Sequence, residues 1–75
     1  MAEPIRIRFH RSIYDPTAVR KAADRFVHIA DVTVEDHEHD TVVTLVPARE
    51  SLRARLADEV SNHALFESIV AARSA

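Results

Sequence analysis

The sequence contains no cysteine and no glycine, and these two absences exclude several classes of site. Without cysteine the chain can form no disulfide, no thiolate zinc site and no iron–sulfur cluster, and it has no cysteine nucleophile. Without glycine it lacks the Walker and dinucleotide-binding fingerprints, in which the backbone must approach a phosphate closely. A nucleotide-binding enzyme is therefore not expected.

Aromatic residues, a basic surplus and long apolar runs are also scarce. Aromatics make up 5% of the 75 residues, so a core has to be built mainly from Val, Ile, Leu and Ala. The net charge of −2, with mixed signs along the chain, argues against nucleic acid as a partner. No apolar run approaches the ~20 residues that span a bilayer, so no membrane role is expected.

The compartment is inferred from two further absences. A secreted domain of this size is usually rich in disulfides, and the run from Met1 to Pro4 lacks the start of a signal peptide. We therefore expect a cytoplasmic protein whose residues 1–75 form a single domain.

Alternation and helical spacing predict five elements. Residues 5–10, 32–35 and 41–46 have the pattern of strands, and the polar residues 36–40 predict a longish hairpin loop because they include no Gly or Asn for a primed turn. Asp15 as N-cap and Pro16 as first helical residue predict a helix over about 16–29. From Ala48 onward an apolar stripe predicts one helix, or two with a break near Ser61-Asn62; its members are Leu52, Leu56, Val60, Ala64, Leu65, Ile69 and Val70.

The element order predicts an α+β fold of the type β-α-β-β-α. Residues 42–46 are apolar on both faces, which places the third strand in the centre of a three-stranded antiparallel sheet of order 1-3-2. Both helices then cover one face of the sheet, as in a ferredoxin-like fold that stops before its last strand. The first strand is left as an open edge.

A basic ridge on the first strand is the first candidate site; its residues are Arg6, Arg8, His10 and Arg11. Charged residues on an edge strand discourage aggregation, which is the structural explanation. The functional explanation is that the ridge recognises an acidic, extended peptide that adds itself to the edge. The sequence leaves both open.

The open face of the sheet is the second candidate. If Val43 and Leu45 point toward the helices, then Val42, Thr44 and Val46 point away from them. This apolar strip reflects either simple β propensity or a surface on which a partner docks. We favour docking, because no remaining segment could cover the strip.

His37 and His39, surrounded by acidic residues, are the nearest approach to a metal site. Such sites usually recruit a ligand from a second element, and none is indicated, so we predict a solvated hairpin tip and no metal. No nucleophile elbow or other catalytic arrangement is present, so we assign no catalytic residue and no cofactor.

Two runs resemble the HxsD-type proteins, the small component of His-Xaa-Ser peptide-maturation systems. They are YDPTAVRKAADRF at 14–26, similar to the family's Tyr…Ala-Ile/Val…Ala…Phe signature, and EVSNHAL at 59–65, similar to its Glu-Phe-x-Asn-x-x-Leu segment. The resemblance implies an accessory role beside a radical S-adenosylmethionine (radical SAM) enzyme that modifies a ribosomally made precursor peptide. It implies no catalytic residues.

The sequence thus predicts a non-catalytic accessory protein that binds a precursor peptide, its radical SAM maturase, or both. Since the chain has no cysteine, it could not hold the cluster of such an enzyme and could only be its companion. One alternative is a small structural domain that self-associates, for example as a homodimer. Another is a weak metal-binding protein.

Overall fold

The computed structural model of the protein describes residues 3–74. Its elements are β1 (Ile5–His10), α1 (Pro16–Asp24), β2 (Ala30–Asp36), β3 (Asp40–Pro47) and α2 (Arg53–Ser74), with a 3₁₀ turn at Glu50–Leu52 before α2. The strands form one antiparallel sheet of order β1-β3-β2. The predicted fold class, element order and sheet order are confirmed.

The core lies between the sheet and the two helices, which pack together on one face. Val43 and Leu45 of β3 are fully buried there. The register extends this face to both neighbouring strands through the rows Ile7–Val43–Val34 and Ile5–Leu45–Val32. The helices contribute Val19, Ala22, Ala23, Phe26, Leu56, Val60 and Ala64. Burial of each large aliphatic side chain stabilises the fold by roughly 1.5–3 kcal/mol.

The start of α1 follows the prediction. The Asp15 carboxylate accepts a hydrogen bond from the N–H of Ala18 at 2.9 Å, and Pro16 occupies the first helical position. Just before this cap, the ring of Tyr14 packs edge-on against Phe9 with centroids 4.9 Å apart. This contact fixes the path from β1 into α1.

The end of α1 differs from the prediction, because the helix stops at Asp24 instead of near residue 29. The chain continues in tighter turns, in which the N–H of Phe26 donates to the carbonyl of Ala23 at 3.0 Å. Val27 and Ile29 are β-branched and lose side-chain freedom in a helix, which favours this early end. The tighter turns deliver the chain to β2 at Ala30.

The hairpin between β2 and β3 is tighter than predicted. Asp36 pairs with Thr41, and the N–H of His37 donates to the carbonyl of Asp40 at 2.8 Å. Only Glu38 and His39 therefore lie between the last two hydrogen-bonded residues, His37 and Asp40. No described residue has a positive φ, so the turn is not of the primed type.

Helix α2 runs unbroken through Ser61-Asn62, which settles the choice between one helix and two. Its buried stripe is narrower than predicted and repeats every fourth residue: Leu56, Val60, Ala64 and Ser68. Leu65, Ile69 and Val70, predicted as core, are exposed. Neither α2 nor any other helix within residues 3–74 has the length and apolarity needed to cross a bilayer.

The packing of α1 against α2 explains which face of α2 is buried. Ala64 and Ser68 are small, so they let the two helices approach closely. The Ser68 hydroxyl also accepts a hydrogen bond from the N–H of Asp15 at 3.1 Å, directly before α1. If α2 were rotated so that Leu65 and Ile69 faced α1, their larger side chains would hold the helices further apart. The N–H of Asp15 would then lose its hydrogen-bond acceptor.

The orientation of α2 is tested by the same substitution at two positions. Leu56→Ala removes a fully buried side chain and should lower the free energy of unfolding by about 2–4 kcal/mol. Leu65→Ala, nine residues further along, should lower it by less than about 0.5 kcal/mol, because Leu65 is exposed. Urea unfolding at low protein concentration measures both values. Equal losses would contradict the orientation described for α2.

Candidate functional site

The free edge of β1 presents the backbone of two arginines. The N–H of Arg11 donates to the carbonyl of His39 at 2.9 Å, which continues the β1–β3 pairing one residue past the strand. Hydrogen-bonded positions alternate along an antiparallel pair, so the N–H and C=O groups of Ile7 bond to β3. Arg6 and Arg8 instead direct their N–H and C=O groups away from β3. No other strand of residues 3–74 lies on that side.

His10 ends this edge instead of extending it. Its carbonyl accepts hydrogen bonds from the N–H groups of Ile13 at 3.1 Å and Tyr14 at 2.9 Å. Its ring Nδ1 lies 2.7 Å from the Ser12 hydroxyl. These contacts belong to the turn that leads into α1, so Arg6 and Arg8 carry most of the accessible edge.

The side chains of Arg6 and Arg8 lie on the open face of the sheet and are exposed. Arg8 Nε is 3.8 Å from Asp40 Oδ2, and the Arg8 side chain is 74% exposed. A surface ion pair of this kind is worth little and is easily exchanged for another. Among the residues that the structure describes, Arg6 has no ion-pair partner.

Arg11 is not part of the same ridge. It follows β1 at the position where the alternation turns the side chain to the helix side of the sheet. Its guanidinium lies 3.7 Å from the carboxylate of Asp36 on β2. The structure therefore brings together three of the four predicted ridge residues, with His10 at the end of the group.

Asp36 is a polar junction that the sequence analysis missed. Its carboxylate accepts hydrogen bonds from Arg20 of α1 and from the fully buried Thr41 of β3, the latter at 3.4 Å. The hydrogen bond from Arg20 is the main cause that holds the pKa of the Asp36 carboxyl below its usual value. The junction ties α1 to the sheet. The available signal was alternation, since Asp36 follows Val32 and Val34 on the helix-facing side of β2.

The predicted strip on the open face is correctly placed but less exposed than expected. Val42, Thr44 and Val46 lie opposite the core face, yet Val42 is only 4% exposed and the other two are half-buried. The register sets Arg8 and Glu35 on either side of Val42, and long side chains cover apolar neighbours with their aliphatic stems. Docking on this strip stays a prediction, and only Thr44 and Val46 are accessible to it.

Charge is divided across the open face. The β1 side carries Arg6 and Arg8, whereas the β2 side carries the exposed Asp31 and Glu35. The strip of β3, with Val42 buried and Thr44 and Val46 half-buried, separates the two. An acidic partner is therefore attracted to one edge of the sheet and repelled from the other.

The two histidines of the hairpin tip lie next to different carboxylates. His37 Nε2 lies 3.6 Å from Glu35, and His39 Nε2 lies 3.9 Å from Glu38. Within residues 3–74 no group of three or more potential ligands gathers around one point. This arrangement offers no shell for a metal ion, and the expectation of a metal-free protein stays a prediction.

No family model, no curated protein and no solved structure matches this chain. The resemblance to HxsD-type proteins therefore stays a prediction. Function is inferred from the geometry of the β1 edge and the open face.

The Asp36 junction is tested by pH. A carboxyl with a lowered pKa stabilises the fold above its unfolded-state pKa of about 3.9 and loses that effect as pH falls through the folded-state value. Asp36→Asn should therefore be less stable than the parent at pH 7, and the difference should shrink progressively as pH falls below about 4. Thermal unfolding across this range measures it.

Asp31→Asn is the matched control, because Asp31 lies on the same strand, is exposed and has no ion-pair partner among residues 3–74. It should leave stability nearly unchanged at every pH. A destabilisation by Asp36→Asn that does not shrink between pH 7 and pH 2 would show that the junction acts by packing and not by charge.

Proposed function

We propose that this protein is a non-catalytic binding module that captures an extended acidic peptide along the free edge of β1. The observation that carries the proposal is the placement of Arg6 and Arg8. Each directs its backbone groups to the free edge and its charged side chain to the open face beside it.

Backbone pairing supplies affinity in this mode of binding. A peptide added beside β1 becomes a fourth strand and bonds to the N–H and C=O groups of Arg6 and Arg8. Such bonds form whatever the peptide sequence is. Selectivity must therefore come from the side chains on either face of the edge.

The two faces of β1 select for an alternating sequence in the peptide. Residues directly opposite each other in paired strands point to the same face. Peptide residues opposite Arg6 and Arg8 would therefore be acidic. Those on the other face would lie next to Ile5 and Ile7, which are half-buried, and apolar side chains there would complete the cover of the core. The favoured ligand alternates acidic and apolar residues.

Charge supports this occupant over the alternatives. At the β2 edge, Asp31 and Glu35 would repel an acidic strand. A second copy of β1 is also disfavoured at the β1 edge, because antiparallel pairing centred on Ile7 would set Arg6 directly against Arg8 of the copy. The same arginines thus protect the edge from self-pairing and attract an acidic partner.

The resemblance to HxsD-type proteins supplies the biological setting of the proposal. The peptide would be a ribosomally made precursor, and the companion would be the radical SAM enzyme that modifies it. The enzyme would dock on the open face around Thr44 and Val46, next to the captured peptide, in the cytoplasm. The absence of cysteine agrees with a division in which the companion holds the cluster.

Reversing the two edge charges tests the proposal. In Arg6→Glu/Arg8→Glu, a fluorescent peptide of about eight residues that alternates Glu and Val should bind at least about tenfold more weakly at low salt. Its association should also slow, and the salt dependence seen with the parent should flatten or reverse. Fluorescence anisotropy gives the affinity, and stopped-flow mixing gives the rate.

Lys21→Glu/Arg49→Glu is the matched control, with the same change in net charge at exposed residues outside the β1 edge. It should bind the peptide nearly as the parent does. If the edge variant and the control lose the same affinity, the effect is one of overall charge. If the edge variant binds as the parent does, the edge proposal is wrong.

A further inference from the structure

The outer side of α2 carries a stripe of large apolar side chains. Leu65, Phe66 and Ile69 are 42%, 61% and 45% exposed. Their spacing places them on one side of the helix, opposite the buried stripe that includes Ala64. Three neighbouring side chains of this size form a contiguous apolar patch, which is unusual on a surface without a partner. We call it the α2 stripe.

Charged residues flank the α2 stripe along the same side of the helix. Before it lie Arg55, Asp58 and Glu59, which together carry a charge of −1, and after it lies Arg73, which carries +1. Arg55 already pairs with Glu59 at 3.3 Å. Asp58 and Arg73 have no ion-pair partner among the described residues. The two ends of the stripe thus have opposite charge.

A shallow pocket of about 400 Å³ opens beside Phe66. It lies between α2 and the end of α1 and is lined by Arg25, Asn62, His63, Phe66 and Glu67. Its walls are held in place by the Arg25–Glu67 ion pair at 3.7 Å and by edge-on packing of His63 against Phe26. The stripe therefore has both a projecting aromatic ring and an adjacent hole.

We propose that the α2 stripe pairs with the same stripe of a second copy, in an antiparallel homodimer with its two-fold axis between Leu65 and Phe66. Asp58 lies seven residues before Leu65, and Arg73 lies seven residues after Phe66. At about 1.5 Å per residue, each is about 11 Å from the axis, on opposite sides. The two-fold axis therefore brings Arg73 of each copy level with Asp58 of the other.

The charge pattern favours this occupant and this direction. Antiparallel pairing sets the +1 end of one stripe against the −1 end of the other, twice over. Parallel pairing would set like charges together at both ends, which is unfavourable. A partner of another kind would have to reproduce the same pattern, whereas a second copy carries it already.

The shape of the stripe is also complementary to itself. A two-fold axis repeats each contact, so a knob and a hole on one surface each meet their counterpart on the other. Because Phe66 lies next to the axis and the pocket lies next to Phe66, each ring can enter the pocket of the other copy. This removes the most exposed aromatic ring of the described chain from water.

The dimer leaves the proposed peptide site accessible. The α2 stripe lies opposite the buried side of α2, whereas Arg6 and Arg8 lie on the open face of the sheet, which the helices do not cover. Each dimer would present two β1 edges. A repeated or doubly anchored peptide could engage both, with a gain in avidity. The dimer does not depend on the proposed function, and either can fail alone.

Sedimentation equilibrium from about 5 µM to 1 mM tests the dimer. About four turns of helix bury less than a standard interface of about 1,600 Å², so we expect a dissociation constant of the order of 10–100 µM. Phe66→Asp should be monomeric at every concentration. Ile13→Asp, a matched change at a residue 64% exposed outside the stripe, should dimerise as the parent does. Circular dichroism confirms that both remain folded.

Single-cysteine cross-linking tests whether the two α2 helices are antiparallel. Because the chain has no cysteine of its own, only the introduced residue can react. In the antiparallel dimer the two copies of residue 65 differ by only about 2 Å along the helix axes, and those of residue 72 by about 20 Å. Leu65→Cys should therefore cross-link through a short bismaleimide, and Ala72→Cys, at an exposed residue that carries no charge, should not. Efficient cross-linking of both would show a parallel pair. A parent that stays monomeric to 1 mM, or a dimer that survives Phe66→Asp, would overturn the proposal.

Discussion

Pairing of β3 with a strand on each side is the constraint on which the rest of the structure depends. β3 pairs with β1 over residues 40–45 and with β2 over residues 41–47, and its residues Val43 and Leu45 anchor the core beneath the helices. A three-stranded sheet built in this way leaves its two outer strands unpaired on one side. The accessible edges, the division of charge and the shielded strip at Val42 all follow from the central position of β3.

Much of this arrangement is readable from local pattern. Residues 42–46 are apolar on both faces, which suffices to place β3 centrally, and Asp15 with Pro16 marks the start of α1. Alternation also places Arg6 and Arg8 on the open face. These features are determined by neighbours in sequence and by the period of a strand, so they can be predicted without knowledge of tertiary contacts.

The features that could not be predicted depend on contacts between distant residues. Apolar periodicity predicts that Leu65 belongs to the core stripe of α2. In the structure Ala64 and Ser68 pack toward α1 instead, and Leu65 is therefore exposed. The Asp36 junction requires Arg20 from another element. The α2 stripe is visible only after the buried side of the helix is known. The molecule thus has two separate candidate surfaces, a polar edge on the sheet and an apolar stripe on the helix layer, and only the first could be inferred from the sequence.

Amide hydrogen exchange, followed by NMR, tests the central claim most directly. In the free protein the N–H groups of Arg6 and Arg8 should exchange quickly, whereas that of Ile7 should exchange slowly. Of these three residues, only Ile7 directs its N–H to β3. Adding a peptide that alternates Glu and Val should then protect Arg6 and Arg8. Protection of these two amides in the free protein, or peptide-induced protection on β2 at Val32 and Val34 instead, would contradict the account.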